Sequence, residues 1–167
     1  MFQRLRYLWA FLAAAATAVL LRGLAVALPC PATEVLSPVN ESPWELGKLM
    51  FWPYLTAALL LWRLEPMESA SRGGHCAALL AATAQLTALC QLLWDIVPLW
   101  PLFCAAAAGG MALYHFLLRR HLPGGELLWY LLAILLGAAY LLLTAQPLTG
   151  GIFLDPRDAA AMAAIPF

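Results

Sequence analysis

The strongest constraint on this chain is a set of five apolar runs, each close to the length that crosses a bilayer. They cover residues 7–28, 44–62, 76–97, 99–118 and 127–145. A helix needs roughly 20 apolar residues to span about 30 Å of hydrocarbon. Water-soluble domains are about a quarter charged, whereas these 167 residues are 64% hydrophobic and 11% charged. The expected fold class is therefore all-α, a five-helix transmembrane bundle. Residues 1–167 would form a single polytopic domain, multi-pass in the cell membrane.

The segments between the runs read as connections. Residues 29–43 hold four prolines, 65–74 read EPMESASRGG, 97–101 read VPLWP and 119–125 read RRHLPGG. Arg4 and Arg6 ahead of the first run have the basic character of a signal-peptide start. That run is too long for a signal-peptide core, and Pro29 stands where cleavage needs a small residue. The first helix is expected to be retained.

Basic residues set the direction. Arg4 and Arg6 precede the first run, Arg63 and Arg72 lie between the second and third, and Arg119 and Arg120 lie between the fourth and fifth. With five crossings these segments share one side, and the other side has only Arg157 outside the helices. Cytoplasmic loops carry the excess of arginine, so the N-terminus is expected in the cytoplasm and the C-terminus outside. Tryptophans agree with this arrangement. Trp9, Trp62 and Trp129 fall at inner boundaries, and Trp44, Trp94 and Trp100 at outer ones. Only Trp52 is mid-run, beside Pro53, where a kink is expected.

Small residues let helices approach closely in lipid. Alanines 13–16, the stretch 105–110, and the pairs Ala106/Gly110 and Ala133/Gly137 are expected to pack in this way. Gln85 and Gln91 are expected to hydrogen-bond across helices. No internal repeat is present to support an inverted-repeat transporter.

Several function classes are disfavoured. Zero net charge gives no reason to expect a nucleic-acid partner. Cys30, Cys76, Cys90 and Cys104 are widely spaced, with no CxxC or Cys/His cluster. No metal and no cofactor is expected from them. Three of the four lie in apolar runs, where cysteine packs as a small hydrophobe. His115 reads as an interfacial residue, and His75 and His121 as cytoplasmic loop residues, so no inward pair is available for a haem.

The polar residues concentrate in SPVNESPWELGK, residues 37–48. Ser42-Pro43-Trp44-Glu45 has the form of a capping box. Ser42 would be the N-cap, Pro43 would take the first helical position, and Glu45 would reach back to the Ser42 backbone. Capping leaves Asn40, Glu41 and Lys48 unexplained. If the helix extends that far, the spacing of Glu41, Glu45 and Lys48 puts them on one face. The topology brings Arg22, Asp95 and Asp155 toward the same level. A charge near hydrocarbon costs about 2.5–3.5 kcal/mol on insertion unless paired or hydrated. The cluster Arg22, Asn40, Glu41, Glu45, Lys48, Asp95 and Asp155 is thus a candidate binding site, or else an ion-pair network fixing helix register.

SPVNESPWELGKLMFWPYL, residues 37–55, resembles a family of small bacterial integral membrane proteins catalogued only as a domain of unknown function. The matching positions are Pro38, Val39, Asn40, Glu41, Ser42, Trp44, Glu45, Lys48, Leu49 and Pro53. GIFLDP, residues 151–156, is similar to the family's C-terminal Asp-Pro segment. Leu46 stands where the family has a histidine, so no metal or proton-carrying role for that histidine transfers. The resemblance implies the membrane architecture and a pairing of the polar segment with Asp155-Pro156, and no activity. In size, span count and tryptophan content the chain is also similar to the tryptophan-rich sensory proteins, without their motifs.

The expectation is a non-enzymatic membrane protein that binds a small ligand or a membrane-protein partner at a polar pocket near the outer surface. Lys48 would supply the positive charge there, and Glu41, Glu45 and Asp95 the acceptors. The alternatives are a membrane-embedded enzyme with Glu45 or Asp95 as general base, and a structural or assembly subunit.

Overall fold

The computed structural model describes residues 2–28, 30–64, 69–93, 96–118, 125–145 and 150–155, and among these it is all-helical. The elements are α1 (Phe2–Ala27), α2 (Pro31–Leu36), α3 (Pro43–Leu64), α4 (Ser69–Leu93), α5 (Leu99–Leu113) and α6 (Glu126–Ala145). A π-turn, Tyr114–Leu118, continues α5, and a 3-10 turn, Gly151–Phe153, follows α6. Among the described residues, four helical stretches are long and apolar enough to cross a membrane: Arg6–Ala27, Arg72–Leu93, Leu99–Phe116 and Glu126–Thr144. In α3 the charges of Glu45 and Lys48 in the first two turns dilute an otherwise apolar helix.

α4 is the hub of the bundle. It packs against α3, α5, the π-turn and α6, while α1 packs on α3. Its buried residues Leu79, Ala82, Thr83, Leu86 and Cys90 follow the three-and-four spacing that lines one side of a helix. α5 meets it through Leu102, Ala106 and Gly110, all buried. A Cβ on Gly110 would come within 2.7 Å of the Ala82 Cβ and 3.1 Å of the Ala78 carbonyl, so only glycine permits this approach. The Ala106/Gly110 pair does what its spacing suggests. On α6, Ala133, Gly137 and Tyr140 are buried, and Gly137 faces the ring of Phe51.

In lipid, polar groups must find partners inside the protein. Thr17, Thr56, Thr83, Thr87 and Thr144 each donate a hydroxyl to the carbonyl four residues earlier, which satisfies the hydroxyl without leaving the helix. Gln85 and Gln91 do not hydrogen-bond across helices to any described residue. Gln85 instead lies against Gly109 of α5, and Gln91 is exposed.

Two expectations need correction. The 29–43 connection contains a short helix, α2, which Pro31 opens at the first helical position. α4 starts at Ser69, so the Gly-rich end of the expected loop is helical. Gly74 serves packing there: the Leu118 carbonyl and the Tyr114 ring would lie 3.1 and 3.2 Å from a Cβ. His75 accordingly sits inside α4 and is buried, not in a cytoplasmic loop. α3 runs through Pro53 as one helix. Trp94, Asp95, Arg119, Arg120, His121, Pro156 and Arg157 lie outside the described residues.

Candidate functional sites: a closed polar clamp and an open apolar groove

The polar stretch folds into a clamp around Lys48. Ser42 is the N-cap of α3. Its Oγ accepts from the Glu45 N–H at 3.3 Å, and its carbonyl accepts the first helical bond from Leu46 at 3.0 Å. The second half of the expected capping box is absent. The Ser42 N–H donates to Asn40 Oδ1 at 3.1 Å, an Asx turn that takes the donor Glu45 would have used. The Glu45 carboxylate is thereby released, and its Oε2 accepts from the Val39 N–H at 3.0 Å and from Lys48 Nζ at 2.6 Å.

Lys48 has a side chain with no solvent exposure, and an ammonium has three hydrogens to place. Besides Glu45, Nζ donates to Thr144 Oγ1 at 2.5 Å and to the Glu34 carbonyl at 3.3 Å. Glu34 belongs to the last turn of α2, where carbonyls lack helical partners. A cation there also suits the negative end of the helix dipole. Lys48 thus joins α3 to α2 and α6 in one stroke. Thr144 passes the chain on, donating to the Tyr140 carbonyl at 2.7 Å.

An aromatic layer lies beside the clamp. The Tyr140 ring stands 4.6 Å from Trp44 and 5.5 Å from Phe51, and Trp44 is 5.1 Å from Phe153. Gly47 leaves room for the Tyr140 hydroxyl, which any side chain at that position would strike. Near Phe153, Asp155 Oδ2 accepts from the Glu41 N–H at 3.1 Å. The PVNES segment and the C-terminal Asp therefore do meet.

The structure brings together Asn40, Glu41, Glu45, Lys48 and Asp155, but not as one helical face, because Glu41 precedes the helix. Arg22 is exposed on α1 and forms no hydrogen bond or ion pair with these residues. Asp95 lies outside the described residues. The sequence reading missed Thr144, the Glu34 carbonyl and the Val39 N–H. Thr144 had a signal, as a hydrogen-bonding side chain at the C-terminal end of a leucine-rich run. The two backbone groups had none. Cys30, fully exposed at the start of α2, has its thiol pKa lowered by hydrogen bonding to Thr33.

A second site has the opposite character. α1 rests on α3 and α5 rests on α4, and between α1 and α5 lies a groove of about 260 Å³. Its wall is almost wholly apolar, with Ala14, Ala15 and Ala18 of α1, Ala57 and Ala58 of α3, and Ala107 of α5 set among larger side chains such as Tyr54 and Phe103. Of the alanines 13–16 expected to close a helix contact, Ala14 and Ala15 border open space here. At the rim Phe11, Val19, Trp100 and Met111 are exposed on the outer surface of the bundle.

One end of the groove carries polar rings. His75 and His115 both line it, together with Tyr7 and Tyr114. His75 is 3% exposed and stacks on Tyr114 at 3.9 Å. His115 lies 5.5 Å from Tyr7 and 5.4 Å from Tyr114, ring to ring. The π-turn starts at Tyr114, and such turns recur at functional sites. His75 Nε2 is sealed from solvent with no hydrogen-bond partner among the described residues. Among those residues, no three His, Cys, Asp or Glu side chains gather to hold a metal ion.

Comparison of the chain with models of known protein families, with curated proteins and with solved structures gives no match. Function therefore has to be read from these two sites.

Proposed function

We propose that this chain is a multi-pass cell-membrane protein that binds a lipid-soluble small molecule in the groove between α1 and α5. In this reading α3 crosses with the four more apolar helices, since pairing Lys48 with Glu45 removes the cost of a lone charge. The arginine distribution then puts the N-terminus inside and the C-terminus outside. The polar clamp is the structural element that holds α2, α3 and α6 together.

The groove itself supports the reading. A dry apolar cavity of about 150 Å³ takes up a benzene ring, so about 260 Å³ suits an apolar ring with a short substituent. The wall offers almost nothing to a charged or sugar-like ligand. The exposed rim faces where the bilayer would lie, so such a ligand would enter from the membrane.

Native mass spectrometry of protein released from membranes tests this, with Ala107→Phe to fill the groove and Ala108→Phe as the control. Ala107 lines the groove, whereas Ala108 does not and is exposed. A bound small molecule is expected in wild type and in Ala108→Phe but not in Ala107→Phe, with all three melting alike. Retention in Ala107→Phe, or loss in both variants, would sink the proposal. Dimers that dissociate only in Ala107→Phe would mean instead that a second copy covers the groove.

A further inference from the structure

The corner between α3 and α4 carries a different chemistry. Arg63 lies in the last turn of α3 and Arg72 near the start of α4. Both are exposed, and with Leu59 and Trp62 they line a cavity of about 440 Å³. Neither arginine forms an ion pair or hydrogen bond with a described residue. The Trp62 Nε1 is buried without a hydrogen-bond partner. Its indole is braced by Tyr130 of α6, 6.0 Å away and nearly perpendicular.

Each arginine alone has an ordinary explanation. Arg63 suits the negative end of the α3 dipole, and both fit the arginine excess of a cytoplasmic face. Neither explanation requires two guanidinium groups on one cavity. Guanidinium forks match the oxygens of phosphate in paired hydrogen bonds, and basic pockets between membrane helices suit anionic headgroups. Leu59, exposed beside the arginines, offers the apolar surface that an acyl chain needs.

We propose that the Arg63–Arg72 corner binds a phosphate-bearing anion at the membrane face. Two sources share this chemistry: the headgroup of an anionic phospholipid, and a free phosphate ester. This site lies apart from the α1–α5 groove and does not depend on it.

The test uses the purified full chain with phosphatidylglycerol, phosphatidylcholine or free glycerol phosphate, followed by native mass spectrometry and thermal melting. Phosphatidylglycerol is expected to bind more tightly than phosphatidylcholine and to raise the melt. In Arg63→Gln/Arg72→Gln that preference should fall roughly tenfold or more, each arginine near the surface contributing about one charge's attraction. Arg22→Gln, on the exposed side of α1, should keep it. A melting shift from glycerol phosphate alone, as large as that from the lipid, would make the ligand a soluble ester. Equal binding of the two lipids in wild type, or an unchanged preference in the double variant, with no glycerol phosphate shift sensitive to the arginines, overturns the proposal.

Discussion

The clamp around Lys48 and the groove between α1 and α5 differ in how completely the chain satisfies itself. The clamp contains the most polar residues of the sequence, yet the three partners of Nζ all come from the protein. A ligand there would have to displace one of them. The groove is lined by alanines set among larger apolar and aromatic side chains, and it has space, an opening and one unsatisfied ring nitrogen. In a membrane protein, conspicuous charge marks a place where the fold had a cost to offset. Absence of bulk marks a place where something else can fit.

That contrast can be broken most decisively at Lys48. Lys48→Met leaves Glu45 buried without its cation and should cost about 3–5 kcal/mol, the usual result of removing one partner of a buried pair. Melting in detergent would show it, and Glu45→Gln/Lys48→Met should recover much of the loss. If Lys48→Met melts normally and loses a copurifying molecule, the clamp is a binding site and the contrast fails.

Next comes Gly47→Ala. The new methyl would meet the Tyr140 hydroxyl and lie 3.0 Å from Thr87 Oγ1. Tyr140 is 1% exposed and wedged by Trp44 and Phe51, so it has little room to yield. Overpacking of this kind costs about 1–3 kcal/mol. Gly23→Ala, with nothing within 4 Å, should leave the melt unchanged, which separates packing from general intolerance of side chains.

Asp155→Ala should cost about 1 kcal/mol, the usual net worth of a hydrogen bond, because the Glu41 N–H loses its carboxylate. Hydrogen exchange at the Glu41 amide should quicken accordingly. The smallest stability effect belongs to Ala107→Phe in the groove, where filling empty space should hardly move the melt while abolishing ligand binding. A large loss of stability there would show that the groove has no spare room.

Much of the architecture was legible in the linear pattern. The apolar runs mark the five long helices, and among the described residues four of these are long and apolar enough to cross a membrane, because a span of hydrocarbon demands a length of apolar helix that sequence reports directly. Ser42 as the N-cap and Pro43 at the first helical position were also legible, since a cap involves residues only two or three apart. Ala106/Gly110 could be read as a contact because a four-residue spacing of small side chains has one main use in a helix pair.

What the tertiary structure alone decided are the partners. Glu45 fits a capping box locally, but Asn40 takes the Ser42 N–H, and folding back of the 37–41 segment brings the Val39 N–H to Glu45 instead. Lys48 finds Thr144, 96 residues away, only because α6 packs beside α3. His75 follows two glycines and looks like loop, yet the second of them, Gly74, admits the Leu118 carbonyl and the Tyr114 ring, and α4 runs on past it. The groove has no sequence signature either, because a void is a property of what several helices fail to fill together. Sequence by itself determined where the long apolar helices lie. Side-chain partners and empty space arise between distant segments, so only the packed bundle could decide them.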